Sequence, residues 1–477
     1  MARPCPPSDR EEVPTLHTFT AEGSAVLPGP EWLTGRRAEA FADFEAMPMP
    51  SEKEEVWRYS PIDALDLDAF GAVPVSDPEV WMGLAADRRM AALVDGVAAD
   101  VPDRSALVVV RDGRVVSAER SGLPDQVVVG GVVGSPAAAL EGGRGSEGPA
   151  RPGVVLTDGD AFVRLSDAYL PDALVVDIPP GVVIEQPIVV VHWCAAPFED
   201  QGSNDAALSP ASFPRTVVRV GARAQAQVVE VVAGAPGATS ALVVPVTEVE
   251  VEEGGSLSYV ALQVLGTGAW HLGRLAGRVG RDAALRTFAV GLGGSYDRAR
   301  TDVEAAGTGA HCEVRSAYLG TGEQVHDVRT LQDHVAPRTT SDLLCKGAVS
   351  GASRSVYSGL IRVRHGAVRA EAFQTNHNLV LDRHAHADSV PNLDIEENDV
   401  RCSHASTVGP VDEDQRYYLE SRGVPPDRAK ELIVLGFFDD IVDRSPVSSV
   451  AGRLRREIGD RLADALWVHD GEGPVSG

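Results

Sequence analysis

Long apolar runs are missing from this 477-residue chain. No stretch approaches the roughly 20 consecutive apolar residues that span a bilayer. The opening MARPCPPSDREEVP also lacks the apolar centre of a secretory signal, so a cytoplasmic chain with no membrane contact is expected. Cysteine is scarce: five residues, at positions 5, 194, 312, 345 and 402, without CxxC spacing. That argues against a disulfide framework and against a self-contained zinc site, and free thiols are expected. Clustered positive charge is lacking too. With a formal net charge of -26, phosphate backbones and anionic membranes make poor partners, so no nucleic acid is expected to bind. There is no GxxxxGK(S/T) phosphate loop, no GxSxG elbow and no HExxH zinc motif, and no other catalytic arrangement emerges from spacing. The chain is read as a non-enzyme.

What is present is a 44% hydrophobic composition, enough for a large core. Residues 1–28 are Pro-rich and expected to be disordered. A helical or α+β region follows over 29–153, and Leu33, Arg37, Ala40, Phe41 and Phe44 fall on one helical face between Glu31 and Ala46. Trp57 and Tyr59 offer two anchors for docking this piece, most simply on the chain's own body. The apolar runs Ala106 to Val110 and Gln126 to Val133 are followed by EGGRGSEGP, which reads as a mobile surface loop.

From 154 to 410 the texture is short β-branched strands broken by Gly, Pro, Asp and Asn. Turn-like glycines recur at Gly221, Gly254, Gly280 and Gly307, which suggests a loosely repeated coil. A parallel β-helix fits best, and on periodicity alone a pair of β-sandwiches competes with it. In the coil reading Cys312 and Cys345 are inert core thiols. Gln374, Asn376 and Asn378 share a strand face, where stacked amides could form a ladder between successive coils.

Chemistry concentrates near the end of this body. In DVRCSHASTVG, strand alternation puts Cys402 and His404 on one face, with Arg401 and Ser403 on the other. A thiolate and an imidazole side by side can hold part of the ligand shell of a metal or an iron-sulfur cluster, which a second chain would have to complete. The alternative is that the pair, sharing a face with Val400, is simply core. Upstream, His384, His386 and Asp388 alternate with alanines and offer a weaker iron or zinc site, for which surface histidines are the plainer reading. Asp394, Glu396, Glu397 and Asp399 read as a solvated acidic rim.

After 410 the pattern turns helical through 477. Asp412 caps a helix ending at Gly423, and Pro425-Pro426-Asp427 starts another running through Phe438. The apolar residues Ala429, Leu432, Ile433, Leu435, Gly436, Phe437 and Phe438 are too many for one intramolecular stripe and invite a partner. In the last helix Val450, Leu454, Ile458, Leu462 and Leu466 form a docking face.

Five motifs, WRYSP, PNLDI, DVRCSHAST, GPVDEDQRYYLESRG and AKELIVLGFFDDIV, together resemble the SufB/SufD family of iron-sulfur cluster assembly proteins, and the CSH triplet is most like the SufD branch. The resemblance implies a mainly β fold, a right-handed parallel β-helix between N-terminal helical and C-terminal helical regions. It implies pairing with a SufB-like paralogue through the β-helices and binding of a SufC-like ATPase by the C-terminal helices. A homodimer is possible for the chain alone. Cys402 and His404 fall on the family's Cys-x-His at the paired interface. Tyr417, Tyr418, Leu432, Gly436 and Phe437 fall on the ATPase-docking segment, with Ile433 and Phe438 beside them. No tightly bound cofactor is implied, only transient iron or an iron-sulfur cluster. Ala405 stands where the family's CSHGAT has Gly, so the local backbone must avoid positive φ. His384 and His386 match no family motif. The readings left beside this one are a SufB-like or purely structural paralogue, and a β-helix polysaccharide enzyme, which acidity and the missing signal disfavour.

Overall fold

A left-handed residue recurs at one corner of six successive coils. The computed structural model describes residues 18–73, 88–133, 150–156, 158–194 and 208–467. From 174 to 409 the chain winds as a parallel β-solenoid. Its strands are β1 (Leu174–Ile178), β2 (Ile188–Cys194), β3 (Arg215–Val220), β4 (Gln225–Gly234), β5 (Val246–Val251), β6 (Ser256–Val264), β7 (Ala269–Val279) and β8 (Ala284–Gly291). They continue as β9 (Tyr296–Ala305), β10 (His311–Gly320), β11 (Val325–His334), β12 (Thr340–Val349), β13 (Arg354–Val363), β14 (Glu371–Val380), β15 (His386–Ile395) and β16 (Arg401–Gly409). Odd strands build one sheet and even strands the other, each in chain order.

The four glycines singled out in the sequence all lie between an odd strand and the next even one. At this corner φ is positive at Arg223, Gly254, Asp282, Gly309, Arg338 and Arg369. The N–H of each donates to the following coil; Gly254 bonds the Arg281 carbonyl at 2.8 Å and Arg338 the Val368 carbonyl at 2.9 Å. This ladder offsets the cost of placing Arg and Asp in the left-handed region. Gly307 serves a different need: a Cβ there would lie 2.0 Å from the Arg281 nitrogen.

Alternation along the strands sends one set of side chains into the lumen and the other outward. The lumen is lined by residues such as Val228, Tyr259, Leu285, Cys312, Val314, Leu343 and Cys345. The outward face of the even sheet, with Val231, Val260, Phe288, Val290 and Leu319, is covered by helices. At the N-terminal end the strand Ala106–Arg111 adds to β2 in parallel and Arg114–Glu119 pairs antiparallel to it, while Val128–Gly131 pairs antiparallel to β1. The segment between those two antiparallel strands crosses from one sheet to the other and closes that end, with Leu123 packed on the lumen core.

Helices α1 (Ala21–Ala25), α2 (Glu31–Ala46), α3 (Arg88–Asp100) and α4 (Ala161–Ala168) come from the N-terminal region. Helix α2 buries Leu33, Arg37, Ala40, Phe41 and Phe44, the residues its spacing marked. Residues 18–28, expected to be disordered, are ordered: Phe19 is buried edge-on to Tyr169, whose hydroxyl donates to the Thr20 carbonyl at 2.7 Å. Trp57 docks on the body under the Arg298 guanidinium, 3.7 Å from the ring centroid, whereas Tyr59 stands out at the surface with positive φ. The Gly-rich tract EGGRGSEGP falls outside the described residues.

At the C-terminus come α5 (Glu413–Ser421), α6 (Pro426–Val442) and α7 (Ala451–Trp467). The Asp412 carboxylate caps α5 by accepting from the Asp414 and Gln415 amides at 2.9 and 3.2 Å. Val450, Leu454, Ile458 and Leu462 are buried with Val434, Phe438 and Ile441 of α6 against the even sheet. Among the described residues no helix is long and apolar enough to cross a membrane.

Candidate functional site

Strands β15 and β16 are the last of their sheets, and among the described residues nothing pairs with their outer edges. Pairing fixes what each side chain faces. Cys402 lies opposite Ala372, His404 opposite Gln374, Ser406 opposite Asn376 and Val408 opposite Asn378. All four partners are lumen residues or buried beside it, so Cys402 and His404 project together on the lumen side of the final strand. On β15 the same side carries Ser389, Leu393 and Ile395, opposite Tyr357, Ile361 and Val363. Leu393 and Ile395 each remain 40% exposed. The solenoid thus ends on an unpaired backbone edge in both walls and an uncovered apolar lumen, a combination that invites another chain.

Cys402 is half-buried against Ile361, Val363, Ala367 and Ala370. Burial pushes its thiol up, partly offset by a backbone hydrogen bond from Ala372, so at neutral pH it is a thiol that must lose its proton to bind metal. His404 is exposed beside it. Among the described residues no three His, Cys, Asp or Glu side chains gather in metal-binding geometry, so this pair supplies two donors and leaves the shell open. Ala405 is in regular strand without positive φ, consistent with its replacing a glycine. Two hydroxyls bridge the mouth: Ser406 donates to Ser389 at 2.7 Å, and Ser389 donates to the Asn376 amide oxygen at 2.9 Å.

The amides behind the mouth differ from the expected ladder. Along the sheet Gln374, Asn376 and Asn378 are flanked by Leu343, Cys345 and Gly347, so no amide stacks on an amide. Gln374 reaches across the lumen, while Asn378 bonds within its own strand and its own sheet. The Gln374 amide donates to the Tyr357 hydroxyl at 2.7 Å, the Asn378 amide to the Asn376 oxygen at 2.7 Å, and the Tyr318 hydroxyl to Asn378. Deeper still, Asp297 accepts from His271 and His326; burial alone would raise its carboxyl, but the two imidazoles hold it well below the usual range. Burial pushes the thiols of Cys312 and Cys345 up to about 12, so both are inert.

His384 and His386 do not join the pair. Strand β15 begins at His386, which leaves His384 in the preceding turn, out of the alternation that the sequence suggested. His386 stays outside the wall with Asp388, Nε2 to Oδ1 at 3.1 Å, while Arg354 approaches the other carboxylate oxygen at 3.6 Å. The acidic rim is exposed and serves the corner: Glu396 and Glu397 accept from the His365 and Gly366 amides.

On the C-terminal helices Tyr417 is 73% exposed, and Tyr418 and Leu432 are exposed with it. Gly436 is open, and Ile433 and Phe437 are half-buried. Phe438 is only 2% exposed and belongs to the core between α6 and the even sheet. Nothing in the sequence flags Lys346, whose amine donates to the Phe437 carbonyl at 2.9 Å and pairs with Asp440 at 2.7 Å, because that contact depends on where α6 lands on the solenoid.

Residues 201–437 match the family model described as SUF system FeS cluster assembly, SufBD core domain. A Mycobacterium tuberculosis iron-sulfur cluster assembly SufBD family protein is 38% identical over 200 residues, covering 40% of this chain and 50% of the relative. The iron-sulfur cluster assembly protein SufD of Bacillus subtilis is 28% identical over 279 residues, 58% of this chain and 61% of the relative. That of Escherichia coli is 32% identical over 181 residues, 38% and 43%. The chain spans about half the length of the first of these relatives. With the solenoid, the open end and these similarities in hand, the chain carries the SufBD core domain of the SufB/SufD family of iron-sulfur cluster assembly proteins and is most like SufD.

Proposed function

We propose that this chain is a scaffold subunit in which the open end of the solenoid pairs with a SufB-like paralogue, while α5 and α6 dock a SufC-like ATPase. Cys402 and His404 then supply ligands, or an entry point for iron, to a nascent cluster at the seam between the two solenoids. The observation that carries the reading is the side-by-side placement of these two donors on the lumen side of β16, at a strand edge that has no further neighbour among the described residues. Two donors from one chain need two more from another.

In this reading the iron and sulfide are cargo. Closure of the seam removes water from Cys402 and His404, and loss of the Cys402 proton is coupled to metal capture. ATP is hydrolysed on the docked subunit, whose rearrangement pulls on the C-terminal helices and opens the seam. Tyr417, Tyr418, Leu432, Ile433, Gly436 and Phe437 form the docking surface; Phe438 supports it from beneath.

The test is coexpression of the tagged chain with its host's SUF proteins, followed by anaerobic iron and sulfide assay of what copurifies. Wild type is expected to bring down both a paralogue and an ATPase. The double variant Cys402→Ala/His404→Ala should retain both partners and lose cluster loading. Loading at the wild-type rate would remove the ligand role and leave a structural subunit; failure to recover either partner would sink the whole proposal.

A further inference from the structure

Helix α6 is fastened to the solenoid by two lysines that point in opposite directions. Lys346 rises from the outward face of β12, and its amine donates to the Phe437 carbonyl at 2.9 Å, pairs with Asp440 at 2.7 Å and lies 4.6 Å from the Phe437 ring centroid. Lys430 descends from α6, donating to the Leu381 carbonyl at 3.0 Å with the Asp382 carboxylate 3.5 Å away. Asp382 in turn accepts from the Ser350 hydroxyl and the Gly351 amide at 2.6 and 2.7 Å.

Lys346 sits where the preceding coils carry Ala317 and Val290. An ammonium group in that apolar row is nearly buried, and burying it costs free energy that a methionine would not incur. Apolar packing alone would hold the helix, but it is non-directional and lets a helix slip along the wall. A charged donor on a single main-chain carbonyl fixes the register.

The two fasteners lead to the two walls of the open end. Lys430 grips the turn that leads from β14 into β15. Along the even sheet Lys346 lies beside His377, and His377 beside Thr407 of β16. The exposed Leu432 and Gly436 and the half-buried Ile433 lie on α6 between Lys430 and the Phe437 carbonyl.

We propose that Lys346 and Lys430 are positioning residues that make α6 a lever, converting a displacement of the helix into a displacement of β15 and β16. The inference rests on the docking of an ATPase to α6 proposed above. Without the lysines the helix still packs and still docks its partner, but its movement is absorbed by sliding.

The experiment uses the assembled complex, with amide exchange followed by mass spectrometry with and without ATP under non-hydrolysing conditions. In wild type, ATP is expected to speed exchange in 386–395 and 401–409. In Lys346→Met/Lys430→Met, which keeps the apolar stems, the ATPase should copurify in the same amount with unchanged turnover, and the ATP-dependent gain should fall at least tenfold. Lys346→Arg/Lys430→Arg should restore part of it. The single variant Lys430→Met, at a partly exposed position, gives the same reading on 386–395 if the double variant is poorly folded. An undiminished gain in the Met variants that bind the ATPase overturns the lever and leaves docking intact. If wild type binds no ATPase, the docking proposal falls and the lever with it.

Discussion

Ser406 Oγ donates to Ser389 Oγ at 2.7 Å, joining the last strand of one sheet to the last strand of the other across the mouth of the solenoid. With Ser389 anchored in turn on Asn376, this is a direct polar link between the two final strands. Replacing both serines with alanine should cost about 1 kcal/mol or less, since each hydrogen bond is partly solvated. The same change should speed amide exchange in 386–395 and 401–409 while leaving 311–349 unchanged. Equal rates in both segments would mean that the bridge holds nothing.

Thiol chemistry should separate the cysteines. In a Cys5→Ser background, iodoacetamide should label Cys402 slowly at neutral pH and faster as pH rises, because burial keeps the thiol protonated. Cys312 and Cys345, pushed up to about 12, should label only after unfolding. Rapid native labelling of Cys312 would contradict its place in the lumen.

Acid should weaken the fold through His334. Desolvation lowers its pKa from 6.5 to about 4, and its ring nitrogens meet the Thr339 and Ser341 hydroxyls at 2.7 and 2.8 Å. Below pH 6.5 the unfolded chain takes up a proton that the fold refuses, so stability is full above 6.5 and falls as the pH drops toward 4. The full difference is about 3 kcal/mol. Asp172, raised to about 6 by burial, acts in the opposite sense over part of this window, so the informative quantity is wild type minus His334→Gln in urea at each pH. That difference should shrink on acidification; a constant difference would exclude His334.

Two substitutions on α6 should diverge. Leu432→Asp, at an exposed position, should leave the melting temperature within a degree or two and abolish recovery of the ATPase. Phe438→Ala should cost about 3–5 kcal/mol, because it empties a filled site between helix and sheet. Recovery of the ATPase by Leu432→Asp would move the docking surface elsewhere.

Gly307→Ala places a methyl 2.0 Å from the Arg281 nitrogen and should lower the urea midpoint by the equivalent of about 2 kcal/mol or more. A neutral result would mean that this corner is not closely stacked.

The parts of this architecture governed by local rules were legible in the sequence. Two-residue alternation put Cys402 beside His404, and the 3.6-residue period selected Leu33, Arg37, Ala40, Phe41 and Phe44. What escaped depends on contacts between distant segments. Gln374 and Asn376 share a face as expected, yet their partners come from the opposite wall, at Tyr357 and Ser389. His384 fell out of its alternation because the strand starts two residues later. The apolar excess of α6 points to a partner, and the part of it that is Phe438 is met within the chain, by the even sheet and α7. Phe19 is ordered by aromatic contacts with Tyr169 and Phe213, which no local pattern announces.

The two extremities of the solenoid are finished differently. Near residue 114 the sheets stop against antiparallel strands, whereas at Gly409 they simply cease. A rod with a single sticky tip can join one other rod tip to tip, and the pair then has no tip left to offer. In the pairing proposed above, two rods joined at their open ends leave neither end for a third, and any further subunit attaches at another surface, such as the one α5 and α6 offer.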